Sequence, residues 1–199
     1  MDGLIAIDTW LFLKLNAGAA NPFFDAVMPV ITNIKYYRIP ILVMLGLLAI
    51  FGGGKGRSAV LLALITLTMT DQLSSHVIKP WVARMRPCHV VEGARFITGC
   101  GGTFAFPSGH ATNTMAAAIF FGSFYRRWWW PAVALSVLVS YSRVYLGIHY
   151  PGDILGGWVL GGGIAWLVVW VYERELRAVF QKIRLFRRRD QPLDARRSG

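Results

Sequence analysis

The chain is predicted to be all-α: a polytopic membrane helical bundle of five or six transmembrane helices with an N-terminal interfacial helical segment. Three observations carry that expectation. Hydrophobic residues make up 55% of the 199 positions and charged residues only 16%. Mean hydropathy is +0.46, above that of ordinary soluble domains. Apolar runs close to the ~20 residues that cross a bilayer recur between short polar turns.

Tyr36–Gly53, Ser58–Lys79, His110–Tyr125, Trp128–Leu146 and Asp153–Tyr172 read as spans, each long enough or nearly so with its flanks. Before Lys35, the residues Ile5, Ile7, Trp10, Leu11, Phe12 and Leu15 suit one apolar helical face, interrupted by Asp8 and Lys14. Asn21-Pro22 breaks that helix before Phe23–Ile31 resumes. An interfacial helical hairpin is the first reading of this stretch and a sixth span the alternative. Asp2 and Asp8, in place of a basic lead, give no sign of a cleavable signal. The chain reads as one membrane domain: 1–34 as N-terminal helices, 35–173 as the bundle and 174–199 as a basic tail.

Positive charge orients the bundle. Lys55 and Arg57 fall in one short loop and Arg126 and Arg127 in another, and the tail from Glu173 onward carries nine Lys or Arg against four acids. These are the ends expected in the cytoplasm, so the C-terminus is placed there. A net charge of +11 with Arg187-Arg188-Arg189 near the end is read as an orientation signal and an anionic-lipid contact. Nucleic acid is not an expected partner, since no recognition module accompanies the charge. Gly156, Gly157 and Gly161–Gly163 lie inside the last span and are read as close helix packing. Trp128–Trp130 reads as an interfacial aromatic belt, and His89 as a solvated loop residue. Asp71, Ser74, Ser75 and His76, in the last turns of the second span, are read as structural pairing.

The opposite, outer face then gathers three polar segments, Lys79–Pro87, Pro107–His110 and Ser142–Asp153. Phosphoryl transfer needs a nucleophile, a group to orient it, an acid for the leaving oxygen, and cations or amides for the equatorial oxygens. His149 precedes Pro151, a residue suited to a first helical turn, and Asp153 lies four residues on. That spacing lets the carboxylate turn back to one ring N–H and leave the other nitrogen free to attack. In Pro107-Ser108-Gly109-His110, Gly109 permits close backbone approach at a helix start, whose free amides make an anion site. Ser108 is suited either to cap that helix or to give its hydroxyl to the anion, and His110 to protonate a leaving group.

Pro80 and Pro87 are expected to stop helix propagation and point Lys79 and Arg86 into one loop cavity, joined there by Arg143. These three cations suit a phosphoryl dianion and oppose a divalent ion, although His110, His149 and Asp153 by themselves also read as metal ligands. No metal or other cofactor is expected. Cys88 and Cys100, the only cysteines, are expected to form a disulfide in the outward loop Pro80–Phe106.

These motifs resemble those of the type 2 phosphatidic acid phosphatase superfamily, the membrane lipid phosphate phosphatases related to vanadium haloperoxidases. The signatures stand here as Lys79…Arg86-Pro87, Pro107–His110 and Ser142-Arg143…His149…Asp153, complete in order and spacing over Lys79–Asp153. The resemblance implies a metal-independent phosphatase on an α-helical bundle. It implies His149 as nucleophile, Asp153 as its partner and His110 as acid, with Lys79, Arg86, Ser108, Gly109 and Arg143 binding phosphate.

The expected setting is the cell (inner) membrane, with the site facing the periplasm or exterior and the bilayer and a membrane lipid phosphate as partners. Arg84 and Arg95, taken as spare charge for a second phosphate, favour undecaprenyl diphosphate. Phosphatidylglycerol phosphate, phosphatidic acid, a lipid A phosphate and a phosphotransfer reaction are the alternatives. Phe104 and Phe106 suit an acyl entrance or core packing. A lipid transporter or flippase is the competing class, but polar groups near the bilayer midplane would suit it better.

Overall fold

A computed structural model describes residues 2–176; the basic stretch containing Arg187–Arg189 lies outside the described residues. Helices α1 (Asp2–Asn16) and α2 (Pro22–Thr32) precede α3 (Ile34–Phe51) and α4 (Gly53–Gln72). A π turn over Leu73–Ile78 carries α4 into α5 (Lys79–Val82), and α6 (Pro87–Val90) is a single turn in the following loop. Then come α7 (Gly109–Phe124), α8 (Trp129–Tyr145) and α9 (Pro151–Val171). Met85 and Phe104 form one isolated antiparallel pairing.

Ile34–Phe51, Gly53–Val82 and Pro151–Glu175 are long and apolar enough by themselves to cross a membrane. Helices α7 and α8, with 16 and 17 residues, reach roughly 24–26 Å at about 1.5 Å per residue, so they run most of the bundle's depth beside the longer helices. Pro80 does not stop the helix as expected. The chain continues to Val82 and ends at Ala83, in the left-handed region at φ 50°. The π turn just before Pro80 explains this: a wider turn absorbs the amide that proline lacks.

The N-terminal stretch forms two helices of 15 and 11 residues, too short to span. Asn21 caps α2 by accepting from the Phe24 amide at 2.9 Å, with Pro22 in the first turn. The single apolar face expected for α1 divides in two. Phe12 is fully buried among Ala111, Val144, Tyr150 and Ile154, with Leu15 packed against them, whereas Ile5, Ile7, Trp10 and Leu11 face outward. Met28 of α2 packs on Tyr145, Leu146 and Ile148. The hairpin therefore covers the bundle end formed by the start of α9 and the end of α8. Burying a side chain such as Phe12 stabilises this docking by about 1.5–3 kcal/mol.

Helix α7 is central. Ala116, Phe120 and Phe124 pack on Ala59 and Ala63 of α4 and on Ala165 and Val169 of α9. Gly157 and Gly161 of α9 make the close packing expected of them: a Cβ on Gly161 would lie 2.0 Å from the Thr112 carbonyl oxygen, and one on Gly157 2.9 Å from that of Ser108. Polar side chains tie the helices laterally. Thr70 donates to Asn113 Oδ1 at 2.8 Å, Thr114 and Ser136 hydroxyls share a bond at 2.9 Å, and Trp158 Nε1 donates to Ser140 at 2.9 Å. Asp71 and His76 are exposed and do not pair through their side chains among the described residues, contrary to the expectation; Ser74 Oγ returns to the Asp71 carbonyl at 3.3 Å.

Two ends of the bundle differ in chemistry. Lys55, at the start of α4, lies 4.9 Å from the centre of the Tyr125 ring at the end of α7, so the basic loops meet at one end. The starts of α5, α7 and α9 meet at the other, beside the end of α8.

Candidate active site

The first motif is held by backbone carbonyls. Lys79 Nζ donates to the Pro107 carbonyl at 2.7 Å, so the end of the α4–α5 helix is tied to the entrance of α7. Arg86 donates from Nε to the Phe104 carbonyl at 3.1 Å and from Nη1 to that of Cys100 at 2.6 Å. The Ala105 amide donates to the Arg84 carbonyl and the Arg86 amide to that of Thr103, at 2.7 and 3.2 Å. Cys88 and Cys100 are disulfide-bonded with Cα atoms 6.2 Å apart, inside the same loop. These ties fold the loop back on itself and bring Arg86 to the end where Lys79 lies. Burial pulls the Arg86 pKa below the usual guanidinium value while Asp153 works the other way. His89 is exposed and Phe106 stands against Gly156, where an added Cβ would lie 2.3 Å from its ring.

The second motif begins α7. The Ser108 amide donates to the Asp153 carbonyl at 3.0 Å, joining the second motif to the third. The Ser108 carbonyl accepts from the Thr112 amide and hydroxyl, each at 2.9 Å. Its hydroxyl does not cap the helix: Ser108 Oγ is buried and without a hydrogen-bond partner. Gly109 and His110 occupy the first helical positions, where amides lack intrahelical acceptors and favour an anion.

The third motif spans the α8–α9 turn. His149 is 2% exposed and its Nδ1 lies 3.4 Å from Asp153 Oδ2. The same carboxylate oxygen accepts from the Tyr150 amide at 2.8 Å. Burial, followed by the positive charges of Arg143, Arg86 and Lys79, drives the His149 pKa well below the ordinary value of 6.5. The imidazole is thus neutral at pH 7, with a lone pair available. His110 is close enough for its charge to act on His149. Arg143 Nη1 donates to Thr32 Oγ1 at 2.9 Å, but its Nε is buried and unpartnered. Ser142 Oγ donates to the Val139 carbonyl of its own helix at 2.6 Å and contributes no free hydroxyl.

Arg84 and Arg95 are not spare charge. Arg84 donates from Nη1 to Asp153 Oδ1 at 3.0 Å and from Nη2 to Asp8 Oδ2 at 2.7 Å, and Arg95 pairs with Asp25 at 2.8 Å. The acids come from the N-terminal hairpin and α9, so sequence spacing within the motifs gives no view of them. The interruption of the apolar α1 pattern at Asp8 is the one signal that marks it. Thr32, the hydroxyl partner of Arg143, has no sequence signal at all.

Among the described residues, the buried side-chain polar atoms lacking partners are Ser108 Oγ, Arg143 Nε and Arg95 Nη1. Two of the three thus belong to the converging motifs. The donor set suits an anion better than a metal ion. His149 is surrounded by three cations, and Asp153 already accepts from Arg84 and the Tyr150 amide. Cys88, His89 and Cys100 also cluster, but the two sulfurs are bonded to each other and offer no thiolate.

A membrane helical bundle with this end chemistry defines an integral-membrane hydrolase of phosphate esters. The chain belongs to the PAP2 superfamily, whose pattern matches residues 59–177, and it is a membrane lipid phosphatase of that superfamily. It is similar to the lipid A 4'-phosphatase of Bacteroides thetaiotaomicron, 34% identical over 184 residues, covering 83% of this chain and 76% of that protein. It is also similar to the undecaprenyl-diphosphatase of Sulfolobus acidocaldarius, 36% identical over 89 residues, covering 44% of this chain and 43% of the relative. Among solved structures, the transmembrane PAP2 type phosphatidylglycerolphosphate phosphatase from Bacillus subtilis superposes with a TM-score of 0.70 at 27% identity, over 88% of this chain and 89% of that one.

Proposed function

We propose that this single-domain phosphatase removes a terminal phosphate from a membrane lipid at the outer face of the cell membrane, through a phosphohistidine at His149. The observation that carries the reading is the pair of buried, unpartnered donors, Ser108 Oγ and Arg143 Nε, on the motifs that converge around a neutral, carboxylate-backed imidazole.

In the first half-reaction the free ring nitrogen of His149 bonds to phosphorus while the bond to the lipid oxygen breaks. His110 gives that oxygen its proton. Asp153 holds the Nδ1–H of His149 and stabilises the imidazolium phosphate. Lys79, Arg86, Arg143, Ser108 and the Gly109 amide carry the charge on the equatorial oxygens. In the second half-reaction His110 takes a proton from water, water attacks phosphorus, and the P–N bond breaks to release phosphate and His149.

With Arg84 and Arg95 held by carboxylates, three cations remain, which suits one phosphoryl group. A lipid phosphate monoester is therefore the proposed substrate in place of undecaprenyl diphosphate, and the breadth of similarity to a lipid A 4'-phosphatase supports the same choice. The proposed orientation follows the basic loops.

The test is a side-by-side assay of purified protein with lipid A 4'-phosphate, phosphatidylglycerol phosphate, phosphatidic acid and undecaprenyl diphosphate. Chelator is present throughout, and acid-labile phosphoenzyme is trapped by rapid quench. Turnover of a monoester with label on His149 is expected. Exclusive cleavage of the diphosphate rejects the substrate assignment, and label absent from His149 during turnover rejects the mechanism.

A further inference from the structure

Asp8, on the N-terminal hairpin, lies far in sequence from every motif yet connects through Arg84 to the residue behind the proposed nucleophile. Its Oδ1 accepts from the Gly152 amide at 2.8 Å, and its Oδ2 accepts from Arg84 Nη2 at 2.7 Å. Arg84 Nη1 donates to Asp153 Oδ1 at 3.0 Å, and Asp153 Oδ2 faces His149 Nδ1 at 3.4 Å. The Arg84 guanidinium also lies over the Tyr150 ring, 3.8 Å from its centre. We propose that Asp8 and Arg84 are positioning residues of the phosphatase site, holding Asp153 in register with His149. This rests on the phosphatase reading above.

The geometry gives each atom a reason. Asp153 is 0% exposed, and a buried carboxylate is costly without a paired charge and saturated oxygens. Its two oxygens have different partners: Tyr150 N and His149 on one, Arg84 on the other. Arg84 is partly exposed at 24% and has two carboxylates to bridge. Without Asp8, one prong of its planar fork loses its acceptor, and the guanidinium is free to turn toward water. Asp153 then keeps its charge but loses the partner that fixes the plane of its carboxylate.

Residue 152 is part of the same device. A Cβ there would lie 2.7 Å from Asp8 Oδ2, so glycine is what lets the carboxylate of α1 reach the first turn of α9. Docking by Phe12, which packs on Tyr150 and Ile154, brings Asp8 to this point. The N-terminal hairpin thus contributes to the alignment of the proposed catalytic pair as well as to the cover over it.

The experiment uses the full chain in nanodiscs with phosphatidic acid as probe, comparing wild type with Asp8→Asn, Arg84→Lys and the double variant. Asp8→Asn is expected to lower kcat about 10-fold or more, with KM changed less than about twofold, because misplacement of a catalytic group acts on the reacting state. Arg84→Lys, which keeps charge but not the fork, is expected to fall similarly, and the double variant no further than the worse single one. A kcat within about twofold of wild type in the folded Asp8→Asn protein, or fully additive losses, overturns the proposal. Should Asp8→Asn fail to fold, Arg84→Lys alone carries the same kcat-against-KM test. Nitrogen NMR of labelled histidine provides a readout independent of turnover. The His149 resonance is expected to move in Asp8→Asn, and an unmoved resonance overturns the link. Inactivity of the wild type on every lipid phosphate would sink the phosphatase reading, while the NMR result would still decide the Asp8–Asp153 connection.

Discussion

The Ser108 amide donates to the carbonyl of Asp153 at 3.0 Å, so the start of α7 and the first turn of α9 are locked by a backbone bond that no side-chain substitution removes. The phosphate-binding hydroxyl proposed at Ser108 and the carboxylate proposed to orient His149 are consequently set against each other by main chain. Variants of either side chain should therefore report on chemistry more than on assembly of the site.

His149→Ala is expected to abolish turnover and His110→Ala to slow it by about 100- to 10,000-fold, the usual contribution of a general acid. A substrate with a good leaving group, such as p-nitrophenyl phosphate, should recover much of the His110→Ala loss and none of the His149→Ala loss. Steady-state kinetics on both substrates checks this, and equal loss on both for His110→Ala would remove it from the acid role.

Stability should fall on acidification through His149. Its folded-state pKa is depressed by burial and neighbouring cations, whereas the unfolded value is about 6.5. Between these two values the unfolded chain binds more protons, so stability rises with pH in that window and declines as pH drops below about 6.5. Thermal unfolding from pH 7.5 to 5 should show a smaller pH slope in His149→Gln than in wild type. Identical slopes would mean that other groups govern the decline.

Gly161→Ala is expected to destabilise the bundle by about 1–3 kcal/mol, the usual cost of overpacking. The added Cβ would lie 2.0 Å from the Thr112 carbonyl oxygen, which is backbone and cannot swing aside. Gly163→Ala is the control, since nothing lies within 4 Å of its Cβ position. Detergent unfolding midpoints should separate the pair, and equal midpoints would contradict the α7–α9 contact.

Replacing Cys88 and Cys100 by serine should lower stability by about 3 kcal/mol if the bridge restricts the unfolded chain as loop-closure entropy predicts. Arg86 should lose order with it, because its Nη1 donates to the Cys100 carbonyl at 2.6 Å. Alkylation of unreduced protein followed by mass spectrometry gives the direct check: two alkylated cysteines in freshly isolated membranes would reject the bridge.

Hydropathy and residue spacing by themselves determined a helical membrane chain, five long apolar runs, the three motifs and the side of the bundle on which each ends. Such features are local: a span is a run of neighbours, and His149 and Asp153 are one helical turn apart. Close packing at Gly157 and Gly161 was legible for the same reason. What only the tertiary structure decided was the set of partners meeting from distant segments. Arg84 and Arg95 look like free cations until Asp8, Asp153 and Asp25 stand beside them. Ser108 looks like an ordinary cap until its hydroxyl is found unpartnered, and Pro80 like a helix stop until the π turn precedes it. Side-chain type and spacing record which charges a chain carries; whether a charge is neutralised or left for a substrate depends on which helix ends the hydrophobic packing brings together.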